Sequence, residues 1–191
     1  MRMRSLTLVA ALMMLPLTLK ADTLYTYIGN NFNQFSSPHM GTGPNAYYST
    51  ANFVEIAFVL SSPLAANLNN VFIDPLTYSF TDGTISTSGP YSSWLAGFAV
   101  TTDAAGNIVN WEMGTSSPGA ATDQYSVESE NEPGHVSDQG DVLIYFNNYT
   151  GEVADDPGTW TAGPVPEPGS LILVASGLLG AVGMLRRPAR A

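Results

Sequence analysis

Hydrophobic and polar residues alternate with a period of two through most of the chain. Between 53 and 60, Val54, Ile56, Phe58 and Leu60 fall on one face. Trp94, Ala96, Phe98 and Val100 repeat the pattern before it breaks at Thr101. Val109, Trp111 and Met113 oppose Asn110 and Glu112. Successive side chains of a strand point to opposite sides of its sheet, so each pattern predicts a half-buried strand. Shorter runs at 24–28, 76–80, 84–87, 125–130 and 142–146 complete the predicted set. Asp82-Gly83 between two of them is a two-residue hairpin signal, and Asp103-Ala104-Ala105-Gly106 is a second turn. Segments 41–45 and 115–121 read as surface loops.

No segment between residues 22 and 163 sustains a helical period, and no repeat of solenoid or propeller spacing occurs. Short strands separated by Gly, Pro, Asn and Asp clusters predict an all-β body, an antiparallel β-sandwich or a jelly-roll-like fold. It spans 22–154. The stretch 155–164, from Asp155-Asp156-Pro157-Gly158 to Gly163-Pro164, reads as a Pro/Gly-rich linker.

The two ends follow other rules. Met1-Arg2-Met3-Arg4, an apolar run over 5–19 and Lys20-Ala21 make a charged start, a hydrophobic middle and a small residue at a cleavage point. This predicts a signal peptide, 1–21, cut after Ala21; the other reading is an uncleaved anchor, and both export the chain. At the far end Val165, Pro166, Glu167 and Pro168 precede an apolar stretch over 169–185, then Arg186, Arg187 and Arg190. That stretch meets the lower length limit for a transmembrane helix, about 17 residues. Arginines behind it hold the C-terminus in the cytoplasm, so they act as a topological stop.

Segment 165–191 resembles the PEP-CTERM sorting signal: a Pro-Glu-Pro motif, a short helix and an arginine cluster in fixed order. The resemblance implies export across the inner membrane, a transient membrane anchor, and removal of the tail by a membrane protease of the exosortase type. The mature protein would then reside in the envelope or outside the cell. Extracellular members of this group also resemble the body loosely, at Tyr27-Ile28-Gly29-Asn30 and Phe80-Thr81-Asp82-Gly83. No activity comes with that second likeness.

Charge narrows the function. All 6 Lys and Arg lie at or before residue 20 or at or beyond residue 186, while all 16 Asp and Glu lie between Asp22 and Glu167. So acidic a body lacks the basic surface that nucleic acid requires. With no cysteine there is neither a disulfide framework nor a thiolate metal site. No Lys or Arg is present in the body to neutralise its carboxylates.

Candidate chemistry within the body is sparse. Glu128, Glu130, Asp138 and Asp141 offer hard oxygen ligands, so one reading is a calcium site; the favoured one is a solvated face. Glu55 and Glu112 interrupt apolar strands and would suit a carboxylate-pair hydrolase, although their phase turns each to solvent. His39 and His135 lie in unrelated loops. Trp94 and Trp111 have core phase, Trp160 lies in the linker with the option of packing on the body, and Tyr47-Tyr48 is the better candidate for exposed rings. The expectation is a non-enzymatic envelope or extracellular-matrix protein needing no cofactor. The alternative is a secreted module that binds extracellular polysaccharide, with or without Ca²⁺.

Overall fold

The computed structural model describes residues 21–37, 44–89, 95–117, 123–145 and 147–165. Residues 1–20 of the signal peptide, the predicted helix over 169–185, Pro166, Glu167, Pro168, the three arginines, His39 and Trp94 lie outside them.

Twelve strands form two antiparallel sheets. In chain order they are β1 (Thr23–Ile28), β2 (Gln34–Ser36), β3 (Glu55–Leu60), β4 (Val71–Phe72), β5 (Thr77–Thr81), β6 (Ser86–Gly89), β7 (Leu95–Thr102), β8 (Ile108–Ser116), β9 (Asp123–Glu132), β10 (His135–Ile144), β11 (Asn147–Ala154) and β12 (Thr159–Pro164). One sheet has the order β12-β1-β3-β5-β6, the other β2-β11-β10-β9-β8-β7-β4. In the larger sheet β7 to β11 run as an up-and-down meander, each strand pairing with the next. Of the two predicted architectures this is the sandwich: the inner faces meet across one aromatic-rich core.

Alternation decides which residues meet there. Tyr25 and Tyr27 of β1, Ile56 and Phe58 of β3, and Tyr78 and Phe80 of β5 point inward and are buried. Phe98 and Val100 of β7, Trp111 and Met113 of β8, and Val127 and Val142 face them from the other sheet. Rings touch across the gap, Phe58 to Phe98 at 5.7 Å and Tyr27 to Trp111 at 5.2 Å. Aromatic pairs at such spacing each add about 1 kcal/mol beyond their buried area. That matters in a body whose only ion pair among the described residues is His135 with Glu130.

The turns obey local chemistry. Pro133-Gly134 closes β9 onto β10, with Gly134 at φ 93°. Asp82-Gly83 is not a two-residue loop. Four residues, Asp82 to Ile85, join β5 to β6, with Thr81 opposite Ser86. Asp82 accepts the amides of Thr84 and Ile85 at 2.8 and 2.7 Å, and this side-chain cap sets the longer turn.

Four strands escaped the sequence reading. β2 and β4 are too short to show a period. β11 carries polar Asn147, Asn148 and Thr150 and hides no continuous apolar face. Segment 159–164 is the plainest correction. It is an edge strand paired with β1 from Thr23–Pro164 to Ile28–Thr159. Its Gly and Pro content reads as linker, but prolines are tolerated at a sheet edge.

Candidate functional site

The sorting segment leaves the body from this edge strand. Asp22 and Val165 stand opposite one another just beyond the β1–β12 ladder, and the Val165 amide donates to the Asp22 carbonyl at 2.8 Å. The start of the body and the exit of the tail are therefore neighbours on one sheet edge. Of the predicted motif, only Val165 lies among the described residues.

The entry to β12 is held by Tyr27-Ile28-Gly29-Asn30. The Tyr27 hydroxyl accepts the Gly158 amide at 2.7 Å and donates to the Asp138 carboxylate, whose oxygens lie 2.9 and 2.8 Å away. The Asn30 amide group donates to the carbonyls of Asp156 and Pro157. Gly29 has no side chain because a Cβ there would strike an Asp138 oxygen. Gly158 has none because a Cβ would overlap the Ile28 carbonyl and lie 2.5 Å from the Gly29 Cα. This explains the motif physically: it fastens the turn that launches β12. Trp160 then packs its ring on Tyr27, Phe58 and Trp111, at 5.1, 5.6 and 5.8 Å.

Asp138 is 2% exposed and bridges the two sheets. Burial pushes its pKa up to about 6, while hydrogen bonds from Ser129 and Tyr27 pull the other way and Asp156 adds repulsion. Burial, then the charge of Asp138, raises the Tyr27 hydroxyl as well, so it stays protonated as the donor. A second buried pair, Tyr48 Oη to Asp82 at 2.7 Å, has the same design. The Phe80-Thr81-Asp82-Gly83 motif is thus accounted for by its turn cap and by Tyr48.

The predicted calcium quartet does not assemble. Glu128, Glu130 and Asp141 point out from the larger sheet, whereas Asp138 points into the core. Residues 138 and 141 are an odd number apart on one strand, so they take opposite faces. Among the described residues no group of three or more His, Asp or Glu side chains is placed to hold a metal ion. Glu128 still feels the crowding: partial desolvation first, then Glu130, then Asp141 and Glu112, lift its pKa to about 7. Desolvation also raises Asp141. His135 sits on Glu130 at the hairpin.

The other predicted chemistry disperses too. Glu55 lies on the smaller sheet and Glu112 on the larger, and both face outward, so they form no cleft pair. Tyr48 is 1% exposed instead of free, because its hydroxyl has Asp82 to bond; Tyr47 packs on Tyr149 with the rings tilted, centroids 4.8 Å apart. Trp111 is buried, with its indole N–H on Ser129 at 2.8 Å. Sequence reasoning missed the roles of Tyr27, Asn30 and Gly158; it placed Trp160 in a linker but allowed its ring to pack on the body, which it does. The one usable signal was a tryptophan in a supposed linker, since a solvated linker gains nothing from so large an apolar ring.

Comparison with known families matches residues 164–187 to the PEP-CTERM protein-sorting motif. No curated protein and no solved structure matches the chain.

Proposed function

We propose that this chain, which carries the PEP-CTERM protein-sorting motif, is a non-enzymatic envelope or extracellular-matrix protein whose body is the cargo. The motif implies export, membrane-anchored sorting and processing by exosortase. The observation that carries the reading is continuity: the matched segment begins at Pro164, the last residue of β12. The cargo's outermost strand runs straight into its address. Mass spectrometry of the mature C-terminus tests this. In cells with the exosortase-type protease the chain should lack 169–191; in cells without it the tail should remain. An intact tail in both would overturn the assignment.

Polysaccharide binding is a second reading, favoured by one feature. A groove of about 340 Å³ on the outer face of the smaller sheet is lined by Glu55, Ser79, Thr81, Ser86 and Ser88. Hydroxyls beside one carboxylate suit the donors and acceptors of a sugar ring. The protein should be retarded on immobilised extracellular polysaccharide, and Glu55→Gln with Ser88→Ala should abolish the delay. Equal elution of both proteins would remove this reading.

A further inference from the structure

The two halves of β12 are attached very differently. Its first half is anchored: Gly158 on Tyr27, Asn30 on the preceding turn, and Trp160 among three aromatic rings. Its second half is not. Thr161, Ala162 and Pro164 are exposed, and nothing lies within 4 Å of where a Cβ on Gly163 would stand.

The register explains how this half is held. Asp22 and Val165 form a hydrogen-bonded pair. Pairs alternate along an antiparallel ladder, so Thr23–Pro164 is the non-bonded kind and Leu24–Gly163 the bonded kind. Pro164 therefore turns its missing N–H toward the free edge and weakens nothing on the β1 side. The second half is held by the backbone ladder at the outer edge of the sheet and by one long side-chain bond, from the Thr161 hydroxyl to the Thr26 carbonyl at 3.4 Å.

Beyond Val165 the sequence leaves only Pro166, Glu167 and Pro168 before the apolar stretch begins at Gly169. Three residues reach about 11 Å at full extension. A protease that binds its substrate as an added strand needs backbone on both sides of the scissile bond. So short a spacer, caught between a folded sheet and a membrane, gives it little.

We infer that residues 161–165 are a releasable strap: they unzip from β1 to lengthen the accessible segment, and Trp160 with Gly158 stops the unzipping before the core opens. This rests on the sorting assignment above and adds a condition to it, that the body must partly open at one edge for processing to occur.

A disulfide that locks the strap tests the inference in the full chain, exported in cells holding the exosortase-type protease. Leu24 and Gly163 are direct cross-strand partners, a hydrogen-bonded pair at a Cα spacing of about 5.5 Å that suits a disulfide. The chain has no other cysteine to interfere. Leu24→Cys with Gly163→Cys, oxidised, should be processed several-fold more slowly than wild type, and dithiothreitol should restore the rate. A control lock at Leu143→Cys with Asn148→Cys, direct partners in the larger sheet, should change nothing. Inserting six Gly/Ser residues between Val165 and Pro166 should rescue the locked chain and speed the unlocked one. Wild-type processing of a chain whose 24–163 disulfide is intact would overturn the strap, as would an insertion that leaves the unlocked rate unchanged. If the wild type and the control lock both stay unprocessed, the sorting assignment itself fails.

Discussion

Trp160→Ala should lower the stability of the body by about 3 kcal/mol, the usual cost of emptying a large aromatic site. In a linker the same change would cost nothing measurable. The ring packs against Tyr27, Phe58 and Trp111, which belong to both sheets. Its removal leaves a void at the seam and frees the edge strand beside it. Against a total of about 5–15 kcal/mol for a domain, this is a large fraction. Chemical denaturation of the processed protein measures it; a midpoint shift equivalent to under about 0.5 kcal/mol, the size of an ordinary surface change, would show that β12 is not part of the fold.

Acidification should stabilise the protein. Asp138 has a folded pKa of about 6 against 3.8 for the unfolded chain. Between those values the folded state binds more protons than the unfolded one, so stability rises as pH falls. The gain begins as pH drops through 6 and is complete below 3.8. From pH 7.5 to 4.5 it amounts to about 2 kcal/mol at about 1.4 kcal/mol per unit. The groups facing Asp138 do not reverse the sign. Tyr27 and Ser129 are neutral donors, and Asp156 repels the carboxylate. Glu128 and Asp141, also raised, push in the same direction. Asp138→Asn should remove its own share of the slope, about 2 kcal/mol between pH 7.5 and 4.5, and leave that of Glu128 and Asp141, while Asp103→Asn leaves the slope in place. The hydrogen bonds of Asp103, chiefly with the Asn107 side chain, lower its pKa. Stability that is level or falling between pH 7.5 and 4.5, or an unchanged slope in Asp138→Asn, would contradict the account.

The second effect comes from a body that has no Lys or Arg. Its 16 carboxylates have no Lys or Arg beside them between residues 21 and 185. Buried carboxylates must therefore find hydroxyl and amide donors, and tyrosine is the donor used twice, at Asp138 and at Asp82. Glycines make room for this. A Cβ on Gly140 would lie 2.9 Å from the Tyr48 hydroxyl oxygen.

Sequence by itself determined the class of the fold and the address. Period-two alternation placed β1, β3, β5, β7, β8 and β9, because each has one face in the core and so shows its phase in the residue pattern. The sorting signal was legible because its parts are contiguous: order and spacing along the chain are all that it needs. What only the tertiary structure decided has the opposite character. A strand at a sheet's edge needs no apolar stripe, so β12 looked like a linker until β1 was seen beside it. Asp138 looked like part of a solvated face, or one of four calcium ligands, until the pleat sent it inward to Tyr27, 111 residues away in the chain. Tyr48 looked exposed because nothing near it in sequence reveals Asp82 as its partner. Contacts between distant residues depend on which strands become neighbours, and a local pattern of polarity carries no record of that choice.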